Sequence, residues 1–269
     1  MQKADLALEI VGRLRRDQEP LKRLWQSAGQ SIHYFVVDDV LPAPLADQIA
    51  TAFPSPEAMT LKKSLRERKY VSAQMNRHDP LIEDALFAFQ APDVVAVIAQ
   101  ITGKPDLEPD PNLYAGGISL MKAGHYLNPH IDNSHDLDRR QWRNLNLLYY
   151  VTPAWYDDHG GHLELWPLGP KGHPITVPSR FNRLVVMETH HHAWHSVSRI
   201  RDGVRRCLSN YYFAPTPMRA DQPFHVTSFR GRPEQPIRDL VLRLDATLRM
   251  GLRWLFPKGV KQIRHRYVR

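Results

Sequence analysis

The chain is 269 residues long, with a formal net charge of +8, 42% hydrophobic and 24% charged residues, and a single cysteine. That length supports one good core, and one cysteine excludes an intramolecular disulfide framework. The opening MQKADLALEIVGRLRRDQ is too charged to read as a signal peptide, and no apolar run reads as a membrane span, so a cytoplasmic enzyme is expected.

Residues 4 to 25 carry Leu8, Val11, Leu14, Leu21, Leu24 and Trp25 at helical spacing, interrupted near Pro20. These helices are expected to pack on the outside of the core. IHYFVVDDVLP then reads as a strand, followed by a helix from about Ala43 to Phe53 that Pro54 stops. The basic run LKKSLRERKY (61–70) reads as a solvated face or mobile loop, or alternatively as a loop at a site mouth that meets an acidic substrate. Pro80 to Ile101 reads as helix. From Tyr114 onward the period becomes that of strands. RNLNLLYYV (143–151) sets Leu145, Leu147 and Tyr149 on one face and Asn144, Asn146, Leu148 and Tyr150 on the other. Short strands separated by Gly, Pro and Asp turns continue to RRCLSNYYF, which indicates a β sandwich or barrel.

The chemistry concentrates between Gly124 and Phe213. His130 and Asp132 are two residues apart, so on a strand both side chains leave one face. An imidazole and a carboxylate placed so can hold adjacent positions on a metal ion, and His195 is the natural third ligand. Two histidines and one carboxylate leave open positions opposite, the arrangement used by non-haem Fe(II) oxygenases. Ten residues beyond His195 stands Arg205, whose guanidinium could grip a carboxylate through two parallel bonds.

The order HxD, long gap, His, ten residues, Arg resembles the 2-oxoglutarate/Fe(II)-dependent dioxygenases, in particular their prolyl-hydroxylase-like branch. That family often continues Arg-x-Ser, whereas this chain reads Arg205-Arg206-Cys207. The two arginines point to opposite faces of a strand, and the spacing favours Arg205 over Arg206. The resemblance implies a mainly β fold with flanking helices (α+β), built on a double-stranded β-helix, or jelly roll. It further implies Fe(II) held by His130, Asp132 and His195, 2-oxoglutarate as co-substrate with its far carboxylate on the arginine, and O2. Related halogenases replace the carboxylate with a small residue, so Asp132 favours hydroxylation. Tyr126, Asn144 and Asn146 are candidates to seat the co-substrate, with ordinary sheet hydrogen bonding as the other reading. His190, His191 and His192 read as a loop at the barrel mouth, His125 and His162 stay open, and Cys207 reads as a small buried residue.

The expected organisation is a helical extension (1–31), a jelly-roll domain (32–215) and a basic helical extension (216–269). Residues 228–269 hold eleven Lys/Arg and three Asp/Glu, an excess of eight that equals the net charge of the whole chain. There Ile237, Leu240, Val241, Leu244, Leu248, Leu252 and Leu255 follow helical spacing, with Arg238, Arg249 and Arg253 to one side. Such a helix either packs on the jelly roll with a solvated basic flank or contacts an anionic membrane, which would put the enzyme at the inner membrane surface. Nucleic acid is disfavoured, since no binding motif appears. The substrate is left open as a small molecule, a lipid-linked metabolite or a protein side chain. The competing reading is a catalytically silent metal-binding jelly roll with a sensing or structural role. A zinc hydrolase would leave Arg205 unexplained and lacks an identifiable base.

Overall fold

A computed structural model of the chain describes residues 2–27, 31–256 and 266–268. Thirteen strands form one curled sheet: β1 (Tyr34–Val37), β2 (Thr60–Lys63), β3 (Glu67–Ser72), β4 (Glu108–Pro109), β5 (Gly117–Lys122), β6 (Tyr126–Ile131), β7 (Trp142–Tyr150), β8 (Leu163–Leu165), β9 (Ile175–Val177), β10 (Arg183–Glu188), β11 (His195–Val197), β12 (Val204–Ala214) and β13 (Ser228–Phe229). Every pairing is antiparallel, and the order runs β1-β10-β7-β12-β5-β3-β6-β11-β8-β9, with β13 on β6, β2 on β3 and β4 on β12. Apart from the consecutive pair β8-β9, neighbours in this order are far apart in sequence, and the curl brings β8 and β9 over the inner face of β7, β10 and β12. There Leu163, Leu165 and Val177 meet Tyr150, Val185, Met187 and Cys207 in one apolar cluster. This is the jelly roll.

The outer face of the β10-β7-β12-β5 half carries the helices. α1 (Lys3–Arg16), α2 (Gln18–Gln26), α3 (Ala43–Ala52), α4 (Pro80–Ala88) and α5 (Pro92–Thr102) bury Leu6, Ile10, Leu14, Ile49, Ile82, Val94 and Ile98 against Leu145, Leu147, Tyr149, Leu208 and Tyr212. The first helix buries Val11 and Leu14 as its spacing suggested, together with Leu6 and Ile10, whereas Leu8 is 67% exposed. The long apolar stretch divides in two, because Pro92 has no N–H to continue the first helix and instead starts α5. An 18-residue window within Pro80–Thr102 has a mean hydropathy of 1.5, which corrects the expectation that no run is long and apolar enough to cross a membrane; 61% of that window is buried inside the protein as core.

Two further segments depart from their expected placement. The basic run at 61–70 is a β hairpin, β2 and β3, with Lys62, Glu67 and Lys69 lining an internal cavity. The helix α6 (Pro236–Leu255) lies on the jelly roll through Leu242, while Ile237, Leu240, Leu244, Leu248 and Leu255 are each about 60% exposed or more. Its arginines and aspartates make the attachment. Arg230 donates to both oxygens of Asp239 at 2.6 and 2.9 Å, and Arg66, in the turn of the β2–β3 hairpin, forms a two-point pair with Asp245. The helix therefore sits with its polar side in and its apolar stripe out. Most of the basic end KGVKQIRHRYVR falls on 257–265, and it lies with the Arg253 side chain outside the described residues.

Candidate metal centre and cavity

The jelly roll positions three side chains by strand pairing. His130 on β6 is the direct cross-strand partner of His195 on β11, which brings their rings to 4.1 Å between centroids. Asp132 follows β6 by one residue and keeps the face of His130. Ligand atoms from the three residues all lie within 4.8 Å of one another. The Nε2 atoms of His130 and His195 stand 3.8 and 3.7 Å from the two oxygens of Asp132. Phe229 on β13 stacks on the His130 ring at 4.9 Å and 13°.

Hydrogen bonding sets the protonation of both rings. Nδ1 of His130 meets the Asn128 carbonyl at 3.0 Å, and Nδ1 of His195 meets the Ala193 carbonyl at 3.0 Å. A carbonyl only accepts, so each Nδ1 carries the proton and each Nε2 offers a lone pair. Burial foremost, then the His195 ring, pushes His130 down to about 3, so its imidazole is neutral. Burial works to raise the Asp132 carboxyl, but Arg143 and the two imidazoles outweigh it and hold the group down at about 2. Two histidine Nε2 atoms and a carboxylate thus converge, and Asp132 Oδ2 has no hydrogen-bond partner. That donor set fits a divalent cation, and two histidines with one carboxylate suit ferrous iron.

The triad opens into a cavity of about 370 Å³, within the range of small-molecule sites. Arg205 lines it from β12 and is 3% exposed, whereas Arg206 leaves the other face of the strand and does not line it. The Arg205 guanidinium lies 4.7 Å from the Tyr150 ring centre and donates through Nε to Ser179 Oγ at 3.3 Å. Gly161 makes the space: its φ is +68°, and a Cβ there would stand 3.0 Å from Arg205 Cδ and 2.2 Å from Ile200.

Asn146 reaches the cavity; Asn144 and Tyr126 are not among its lining residues. A β-bulge explains the split. Tyr212 pairs with Leu145, but Phe213 pairs with Arg143, so Asn144 is the extra residue on β7. Its amide donates to the Thr216 carbonyl at 3.0 Å. Tyr126 donates its hydroxyl to the Ser64 carbonyl at 2.9 Å and lies beneath Arg238 of α6. The same bulge turns Arg143 into the cavity, a residue that sequence reasoning missed. Arg143 is 1% exposed, 3.5 Å from Asp132 Oδ1 and 4.2 Å from the Tyr211 ring centre, and its Nε and Nη2 have no hydrogen-bond partner.

The remaining histidines have structural surroundings. His190 to His192 form the turn between β10 and β11, with His190 Nε2 3.3 Å from the buried Glu188. His162 accepts from the Ser179 N–H at 3.2 Å and meets the Asp157 carbonyl at 2.8 Å, while His125 stacks on Tyr70 at 5.6 Å. Cys207 lines the cavity and is buried, and burial pushes its thiol up.

Comparison with known proteins follows from this geometry. Residues 116–214 match the 2OG-Fe(II) oxygenase superfamily. No curated protein sequence matches the chain. Among solved structures, the fold is similar to a prolyl hydroxylase from Trichoplax adhaerens bound to a hypoxia inducible factor peptide, at 16% identity, TM-score 0.54, 74% of this chain and 92% of that one. It is also similar to a Pseudomonas putida prolyl-4-hydroxylase, at 18% identity, TM-score 0.55, 72% of this chain and 97% of that one. The matched segment contains the paired histidines, the carboxylate and Arg205, so the part of the chain that is similar to the 2OG-Fe(II) oxygenase superfamily is the part that builds the cavity.

Proposed function

We propose that the protein is a hydroxylase in which His130, Asp132 and His195 hold Fe(II) while Arg205 grips the far carboxylate of 2-oxoglutarate. The observation that carries this reading is the convergence of two histidine Nε2 atoms and a carboxylate within 4.8 Å of one another, with each Nδ1 held by a backbone carbonyl. When bound, Fe(II) supplies the activation of O2, one oxygen atom leaving in succinate as 2-oxoglutarate loses CO2 and the other entering a substrate C–H bond. The chain's own residues orient and protect. The Asn128 and Ala193 carbonyls fix the two imidazoles, and Arg143 keeps Asp132 ionised. Ser179 and Tyr150 hold the Arg205 fork, and Leu127, Leu148, Leu163 and Val197 keep that end of the cavity dry. Asn146 lines the same wall and supplies an amide to the co-substrate.

The test is an anaerobic visible spectrum with Fe(II), before and after 2-oxoglutarate. A charge-transfer band requiring both additions is expected, lost in His195→Ala and Arg205→Ala and kept in Arg206→Ala. Absence of the band from folded, metal-loaded protein would leave the silent metal-binding jelly roll as the reading.

We further infer that α6 rests on an anionic membrane surface, with the enzyme cytoplasmic and peripheral at the inner membrane. The exposed stripe of Ile237, Leu240, Leu244, Leu248 and Leu255 supplies apolar area, and the surplus of eight positive charges in 228–269 supplies the attraction. Co-sedimentation with vesicles containing phosphatidylglycerol, but not with phosphatidylcholine alone, is the expected result. The double variant Leu244→Asp/Leu248→Asp should stay in the supernatant. A stable dimer in solution that loses its partner in the same variant would instead assign the stripe to a second copy.

A further inference from the structure

The β2–β3 hairpin places two lysines at the outer end of the cavity. Lys62 and Lys69 are direct cross-strand partners, and both line the cavity that contains the triad. Like charges directly opposite one another weaken an antiparallel pair. One carboxylate of the hairpin also lines the cavity and pairs with Lys69: Glu67 Oε2 is 3.1 Å from Lys69 Nζ. Among the described residues Lys62 forms no ion pair. Burial, with Lys69 second, pushes the Lys62 ammonium down from its usual range, against the pull of Glu67, as expected for a cation short of counter-charge.

The charge of the whole cavity points the same way. Its charged lining is Lys62, Lys69, Arg143 and Arg205 against Glu67 and Asp132, an excess of two cations. Ferrous iron and the 2-oxoglutarate dianion cancel each other, so their arrival leaves that excess unchanged. Arg205 serves the co-substrate and Arg143 faces Asp132, which leaves the hairpin as the place where further negative charge is wanted.

We propose that Lys62 and Lys69 bind a dianionic oxyanion group of the substrate, a phosphate monoester, and so hold the carbon to be oxidised against the triad. The word substrate rests on the oxygenase reading; the anion site itself does not. Two compact ammonium groups on one wall suit a phosphate, which accepts from several donors at once.

The probe is methyl phosphate. Its affinity is measured by calorimetry on metal-free protein, and its 31P relaxation is measured on protein loaded with Mn(II) and freed of unbound metal. Binding is expected, with strong broadening by manganese. Lys62→Gln/Lys69→Gln should weaken binding roughly tenfold or more, because both charged donors to the phosphate are removed. Lys62→Arg/Lys69→Arg should retain it, as should the remote Lys171→Gln. Equal affinity in the double Gln variant would overturn the proposal, and so would binding without broadening when manganese occupies the triad. Failure of manganese to bind would count against the iron reading alone, because the calorimetry still tests the lysines.

Discussion

Strands β7 and β12 have two faces with opposite construction. On the outer face Leu145, Leu147, Tyr149, Leu208 and Tyr212 pack against the helices, and the polar atoms there are satisfied: the Tyr149 hydroxyl reaches Asn182 at 2.8 Å and Tyr212 reaches the Phe89 carbonyl. On the inner face Arg143 and Asn146 are equally buried, yet Arg143 Nε, Arg143 Nη2 and Asn146 Oδ1 have no partner. Burying a polar group without a partner costs free energy. The outer face thus stabilises the fold, and the inner face holds unsatisfied groups in place for a ligand. Burial alone does not distinguish them; satisfaction does.

The contrast can be broken most directly on the outer face. Leu147→Ala should cost about 2–5 kcal/mol of stability in urea unfolding, the range for a buried leucine that leaves a cavity. Affinity for metal at the triad should be unchanged. A variant that keeps its stability but loses metal would invert the assignment of faces.

Arg143→Met tests the inner face. In metal-free protein it leaves Asp132 buried without its cation and should cost about 3 kcal/mol. Added Zn(II) should restore much of that loss by binding the carboxylate. If the loss is the same with and without metal, Arg143 acts through packing on Tyr211 and not through charge.

A smaller effect concerns His225, whose backbone N–H donates to Ser134 Oγ at 3.0 Å and whose ring is buried, with a Val226 backbone contact that only partly opposes the burial. Burial foremost pushes it down to about 4. Its folded pKa lies below the unfolded value of about 6.5, so between these values the unfolded chain binds the extra proton. Stability therefore falls as pH drops through that window, by about 1 kcal/mol at pH 5.5 relative to pH 8. His130, pushed down to about 3, adds to the slope of metal-free wild type in the same window, so the His225 contribution is the amount by which His225→Phe is flatter than wild type. Equal slopes would move the titration elsewhere.

The smallest effect is expected at Asn146. Replacement by leucine removes an unsatisfied carbonyl oxygen and should change stability by less than about 1 kcal/mol, in either direction. Co-substrate affinity should fall while metal affinity stays. A large destabilisation would mean that the amide belongs to the fold.

Much of this was legible in the sequence because it depends on short-range periodicity. The two-residue step from His130 to Asp132 placed both on one face, the alternation of 143–151 separated Leu145, Leu147 and Tyr149 from Asn146 and Leu148, and the step from His195 selected Arg205 over Arg206. What escaped depends on the pairing partner. The bulge at Asn144 exists only in relation to β12, so no property of 143–151 alone reveals that Arg143 joins Asn146 on the cavity side. The hairpin at 60–72 escaped for a related reason: its lysines look solvated until β3 pairs with β5 and β6. In α6 the periodicity was correct and left the direction open, because a hydrophobic stripe defines a face without saying whether protein covers it.

The pair between Arg66 and Asp245 links that helix to the hairpin, and the hairpin turn is also bonded to β6, where the Asn128 amide donates to the Leu65 carbonyl at 3.0 Å. Helix, hairpin and the strand bearing His130 are thereby one lever. Under the proposed membrane contact, the same bonds would set the height of the cavity entrance above the bilayer. A lipid-linked substrate would then be found by a search in two dimensions, and turnover would follow its number per unit area of bilayer in place of its bulk concentration.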